Sequence, residues 1–171
     1  MMRAAAGFVA AWSLAALLGA APASGQEAGD GRAAPDADRE AAVVAVIDGL
    51  FDAMRSADAD GVHAAFHPEL RRLASVGERD GAPAVGYGDL EAFAASVGNA
   101  APGDLDERTG PPEIRFDDDL ATVHVPYTFY YQGQVRHCGM NVFHLAPTPE
   151  GWKIVGLVDT RRTGACQERS R

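Results

Sequence analysis

From Glu113 to Arg162 the chain is strand text broken only by turns: "EIRF", "DDD", "LATVHVPYTFYY", "QGQ", "VRHCGMNVFHLA", "PTPEG" and "WKIVGLVDTRR". Apolar residues alternate through each run, and each gap holds Gly, Pro, Asp or Gln. Alternation of this kind with short gaps predicts an antiparallel meander of four strands. What precedes it is helical. Val43, Ile47, Leu50, Phe51 and Met54 recur at helical spacing behind Asp36 or Asp38, either of which can cap the helix. A second, shorter helix follows Asp58, with Val62, Ala65 and Phe66 as its buried edge, and Pro68 ends it. Leu70 to Val76 and Ala84 to Tyr87 pair as a hairpin across "RDG". Asp89 caps a third helix carrying Leu90, Phe93 and Val97, with Gly98 as its stop. From Gly98 to Pro112 the text is acidic, rich in Pro and Gly and without period, which predicts a loop of about fifteen residues that is either a lid or a plain crossover. The expected class is α+β: three N-terminal helices packed on a strongly curved, mainly antiparallel sheet.

The chain has 171 residues, 47% of them hydrophobic, enough for one domain with a real core. Met1 to Arg3 is a short positive start, Ala4 to Ala21 is uncharged and apolar, and "APASGQ" offers small residues for cleavage, the layout of a secretory signal peptide. The competing reading, an uncleaved anchor, needs a run richer in Leu and Ile than this one. The expected division is a signal peptide over 1–25, a flexible leader over 26–37, the folded domain over 38–163 and a tail over 164–171. That places the mature chain in the periplasm or outside the cell, free of the membrane once cleaved. In such a compartment Cys138 and Cys166, the only two cysteines, are expected to pair, closing a loop worth on the order of 3 kcal/mol; the alternative is two free thiols.

The formal charge of −9 argues against nucleic acid as a partner, because phosphate affinity needs clustered Lys and Arg. The basic pairs Arg71-Arg72 and Arg161-Arg162 are not interleaved with aromatics. No CxxC, no helical HxxxH and no dense carboxylate cluster beyond "DDD" is present, so no metal and no cofactor are expected.

Taken together, "AVVAVIDGLFDAMRSADADGVHAAFHPE", "DLATVHVPYTFYYQGQ", "HCGMNVFHL" and "GWKIVGLVDTRR" resemble the nuclear transport factor 2-like superfamily, which also holds ketosteroid isomerases and SnoaL-like polyketide cyclases. The nearest resemblance is to its bacterial lumazine-binding branch, over roughly Asp38 to Arg162. The resemblance implies a cone-shaped, cystatin-like barrel with helices against its concave side and a pocket at the open end. It does not imply one function, since the fold hosts isomerases, cyclases, dehydratases and non-catalytic modules.

Register decides which residues line such a pocket. For the apolar sets of Leu120 to Tyr131 and Val135 to Ala146 to share a core, "QGQ" must be a three-residue loop or the pair must carry a bulge. Tyr127 then lies near Gly139 and Val123 near Phe143. His137 and Asn141 point inward, and Cys138, Met140 and His144 outward, where a tail bearing Cys166 can reach Cys138. A plain two-residue turn instead puts His137 beside Tyr130 on the opposite face. On the first arrangement the ligand-binding candidates are Tyr127, Phe129, His137, Asn141, His67 and Trp152. The catalytic candidates are His67 and His137 as bases with Tyr127 as donor. Each has a structural alternative: His67 capping the chain before Pro68, His137 a satisfied strand histidine, Tyr127 a core residue. Isomerases of the resembling family use a carboxylate base, and no equivalent stands out. Asp159 shares parity with Leu157 and Arg161 rather than with Trp152 and Ile154, so it is expected outside, paired with Arg161 or Arg136.

The leading functional expectation is an exported small-ligand-binding protein, a homodimer through an outer sheet face bearing Met140, Val142, Val155 and Leu157. The rivals are a cofactor-free lyase or isomerase acting on a small carbonyl compound, and a non-catalytic interaction domain.

Overall fold

The structure, a computed structural model, describes residues 33–167. The expected signal peptide over 1–25 lies outside them, as do 26–32 of the leader and 168–171 of the tail. Helix α1 runs Ala33–Ser56, so it starts inside the expected leader rather than at Asp36 or Asp38. Its stripe of Val43, Ile47, Leu50, Phe51 and Met54 is buried as the spacing predicts. Asp58 caps α2 (Ala59–Ala65), accepting from the Gly61 N–H at 2.9 Å. The hairpin of β1 (Arg72–Arg79) and β2 (Ala82–Asp89) turns at Asp80-Gly81, both at positive φ, the backbone that a two-residue hairpin demands. Asp89 then caps α3 (Leu90–Gly98) by accepting from the Ala92 N–H at 3.1 Å.

The segment expected to be a bare loop holds a strand. β3 (Leu105–Thr109) pairs antiparallel with residues 127–131 of β5 (Leu120–Tyr131), and β4 (Glu113–Asp117) pairs with residues 120–124 of the same strand. Pro126, which has no N–H to donate, falls where β5 changes edge partner. β6 (Gln134–Thr148) and β7 (Gly151–Thr160) complete the meander, and β7 joins β1 in parallel, giving the order β2-β1-β7-β6-β5-β3. The sheet curls over the helices without closing. The core lies between them: α1, α2 and α3 pack on Ala121, Val123, Phe143, Leu145 and Ile154.

Two bulges set which side chains face that core. The β5–β6 turn has two residues, Gln132 and Gly133, but the register shifts between Phe129 and Tyr130, leaving Arg136 as the extra residue. The bulge gives the pairings Tyr127 with Gly139 and Val123 with Phe143 that the apolar pattern requires. The second bulge was not expected. Between β6 and β7, Leu145 pairs with Ile154 but His144 pairs with Gly156, so Val155 is extra. Ile154 and Leu157 therefore face the same interior despite opposite parity, and Asp159 and Arg161 follow Leu157 inward.

Cys138 and Cys166 form a disulfide with their Cα atoms 5.5 Å apart. The tail is pinned across the outer face by paired main-chain bonds of 2.9 Å between Cys138 and Arg162, and by Thr128 Oγ1 donating to the Gln167 carbonyl at 2.7 Å. Gly139 is required here: a Cβ on it would lie 1.7 Å from the Thr160 carbonyl oxygen.

Candidate functional site

Between α1, α3 and the concave face of the sheet lies a cavity of about 320 Å³. Its helical wall is Leu50, Phe51 and Met54 from α1 with Phe93 and Val97 from α3, and Leu105, Phe129, Phe143 and Leu157 supply the sheet side. Into this apolar surround converge Ser75, Glu107, His137, Asn141, Asp159 and Arg161. Enclosed apolar walls with a few convergent polar groups are what small-molecule sites look like.

Sheet register gathers the polar set. Glu107, Phe129 and His137 form one row across β3, β5 and β6, Asn141, Asp159 and Ser75 form another across β6, β7 and β1, and the Tyr127–Gly139 pair lies between the two. Asn141 Nδ2 reaches diagonally between the rows to donate to Glu107 Oε1 at 2.6 Å. Asp159 is the most connected group. Arg161 Nε donates to its Oδ2 at 2.7 Å, the Tyr127 hydroxyl lies 3.0 Å from the same oxygen, and the Ser75 hydroxyl donates to Oδ1. The Tyr127 hydroxyl lies equally close, at 3.0 Å, to the Thr160 carbonyl. The His137 ring is held between aromatic neighbours, 4.9 Å from Phe129 and 5.7 Å edge-on from Tyr127.

These surroundings move the ionisation of the groups. Burial pushes Glu107 up to about 7, with the negative charge of Asp159 adding to it, while the Asn141 bond and the Arg161 charge pull it partly back. Burial and then the Arg161 charge lower His137, against the opposing pull of Asp159, so the imidazole is neutral at pH 7. Burial first, then the charges of Asp159 and Glu107, raise Tyr127, which stays a hydroxyl donor. The site thus holds a carboxyl poised to gain or lose a proton near neutrality beside a neutral imidazole and a guanidinium. Burial shifts the carboxyl up and the imidazole down, and perturbed titratable groups gathered in a cleft mark a candidate functional site. Among the described residues no group of three or more His, Cys, Asp or Glu is placed to hold a metal ion.

Of the residues singled out in the sequence, Phe129, His137 and Asn141 line the cavity. Tyr127 lies beneath it, fully buried, and acts on it through Asp159. His67 and Trp152 are elsewhere. The His67 N–H donates to the Ile154 carbonyl at 2.9 Å, and its Nδ1 accepts from the Glu69 N–H, the chain-capping role before Pro68. Trp152 packs edge-on to Phe116 at 6.0 Å under the Arg39 guanidinium, and Arg39 is about 16 Å along α1 from Leu50. Asp159, expected outside, is inside and does pair with Arg161; Leu157, expected on the outer face, lines the cavity. Glu107 was not singled out at all. Its signal was the alternation Leu105, Glu107, Thr109, masked by the charged residues between them.

No protein-family model and no curated protein matches the sequence. Solved structures do match in fold. The chain is similar to a nuclear transport factor 2-like protein of unknown function from Silicibacter pomeroyi, at 20% identity over 74% of this chain and 98% of that one, TM-score 0.56. It is similar to a candidate dehydratase of the nuclear transport factor 2-like family from Streptomyces avermitilis, at 17% identity over 75% and 98%, TM-score 0.57. A domain of unknown function with a cystatin-like fold from Nostoc punctiforme matches at 20% identity over 75% and 80%, TM-score 0.55. What these likenesses share with the chain is the fold.

Proposed function

With the nuclear transport factor 2-like fold as premise, we propose that this protein binds a small, mainly apolar carbonyl compound and moves a proton on it, using Glu107 as the acid–base group. One observation carries the reading: a carboxyl ionising near 7 lies on the wall of a mainly apolar cavity, held by Asn141 and facing the Asp159–Arg161 pair. As carboxylate, Glu107 takes a proton from the carbon beside the carbonyl, and the electron pair of that C–H bond moves onto the carbonyl oxygen. Arg161 and the neutral His137 N–H are the donors available to that oxygen. Where a C=C is conjugated with this enolate, the electron pair folds back from the oxygen and protonated Glu107 gives the proton to the far carbon, yielding an isomer. Where the next carbon carries a hydroxyl, the returning pair forms a C=C, the C–O bond breaks and the hydroxyl leaves as water with the proton of Glu107. Glu107 also borders a polar crevice with Asp48, Asp52, Arg55 and Arg108, which supplies a route for protons from solvent while the cavity is occupied. At ~30 Å³ per water-sized group, the cavity takes about ten such groups, the size of a one- or two-ring compound.

The test is exchange of the α-protons of 1-tetralone in D₂O, followed by ¹H NMR. Exchange faster than buffer that disappears in Glu107→Gln supports the reading. Exchange at the buffer rate with native protein overturns catalysis and leaves the second reading, a binder. That reading is favoured by the cavity's mostly apolar lining, and lumazine joins the compounds to titrate against it.

The same reading includes export and pairing of two copies. Export is supported by the signal-like start, and the Cys138–Cys166 bond fits an oxidising compartment. Pairing is supported by the outer face, where Tyr87 is 63% exposed and Val85 55%, beside Val158. A light-scattering mass of one chain at micromolar concentration would end the pairing proposal.

A further inference from the structure

A second depression, about 780 Å³ and wide open, adjoins the cavity. Ser75 and Arg161 line both, so the two spaces meet at those side chains. The groove's floor is made by the ends of β1 and β2. Gly77 and Arg79 follow Ser75 at alternate positions and so share its face, and their partners across the hairpin are Ala84 and Ala82, with Gly86 opposite Ser75. The floor is low because Gly77 and Gly86 carry no side chain and Ala84 only a methyl: a Cβ on Gly86 would meet nothing nearer than 3.9 Å, and one on Gly77 nothing nearer than 3.6 Å.

The rim is basic. Arg79, Arg161 and Arg162 border the groove against one acid, Glu78, in a chain whose formal charge is −9. Among the described residues neither Arg79 nor Arg162 has a side-chain ion pair, and only the Nε of Arg161 is used, on Asp159, with its side chain 54% exposed. Unpaired guanidiniums beside an open floor suit a planar anion, which they bind bidentately.

We propose that this groove binds the anionic end of a small organic ligand whose apolar body fills the cavity, so that the substrate class is a carboxylate-bearing compound of one or two rings. This rests on the cavity being a ligand site, as proposed above. Arg161 links the two, lining both the cavity and the groove while its Nε holds Asp159.

The experiment compares 1-naphthylacetate with its neutral amide, 1-naphthylacetamide, by calorimetric titration of the full chain. The naphthyl ring fits the cavity in both, and only the acid carries charge into the groove. The acid should bind at least tenfold more tightly, with an advantage that shrinks as salt rises. Arg79→Gln with Arg162→Gln should bring the acid to within about threefold of the amide and leave amide affinity unchanged. Ala84→Glu, with all three arginines intact, should do the same by opposing charge. Equal affinities for acid and amide, or an acid preference that survives the double substitution, overturns the groove while leaving the cavity reading in place. Failure of both compounds to bind overturns both.

Discussion

Replacing Glu107 with Gln should make the protein more stable in mild alkali, because the native residue destabilises the fold there. In the unfolded chain this carboxyl ionises at the ordinary value of 4.5, whereas in the folded chain it holds its proton up to about 7. As pH rises from 4.5 the unfolded state loses the proton first, so the free energy of unfolding falls until the folded-state value is passed and then levels off. The difference corresponds to on the order of 3 kcal/mol, at about 1.36 kcal/mol per pH decade. Gln keeps an oxygen to accept from Asn141 and removes only the charge. Urea unfolding of native and Glu107→Gln chains at pH 4.5 and pH 8.5 isolates this term, since every other ionising group is common to both. The two should be close at pH 4.5, and the variant should be more stable by about 3 kcal/mol at pH 8.5. Equal stability at pH 8.5, or curves that stay parallel between the two pH values, refutes the claim that burial and Asp159 hold this carboxyl up.

Three further substitutions probe the frame around the site. Gly139→Ala puts a Cβ 1.7 Å from the Thr160 carbonyl, so β6 and β7 must part; a loss of about 3 kcal/mol or more in urea is expected, and a loss under about 1 kcal/mol would mean the strands are not that close. Cys166→Ser opens the loop spanning 28 residues and should cost about 3 kcal/mol under non-reducing conditions, with the difference from native protein vanishing in reductant. Tyr127→Phe removes a buried donor to Asp159 and Thr160 and should cost about 1–3 kcal/mol in thermal or urea unfolding while leaving the cavity open to ligand; an unchanged stability would show that the hydroxyl does not hold Asp159.

The helices, the caps Asp58 and Asp89, the hairpin turn and the meander were legible because each leaves a local mark in residue type and period. The pairing of Tyr127 with Gly139 was legible too, because a single register lets both strands bury their apolar residues. The Val155 bulge was not deduced, and one extra residue reverses everything after it: Leu157, Asp159 and Arg161 moved from the expected outer face to the cavity wall. A hint was present in Ile154 and Leu157, large apolar residues of opposite parity in one strand. β3 escaped because it is an edge strand, short and charged as edges commonly are, between Pro- and Gly-rich stretches that read as loop. Glu107 escaped with it. His67 and Trp152 were placed by residue type alone, and nothing local says that Trp152 packs near Arg39 while the cavity opens three to four turns further along α1. The parallel joining of β1 to β7, which brings Ser75 to Asp159, is a long-range event with no local signature.

The ionisation of Glu107 itself can be followed directly through its side-chain carboxyl ¹³C resonance, assigned by its loss in Glu107→Gln. A midpoint near 7 is expected if the carboxyl is buried beside Asp159 as the structure has it. A midpoint at or below 4.5 would contradict a poised proton carrier in this cavity.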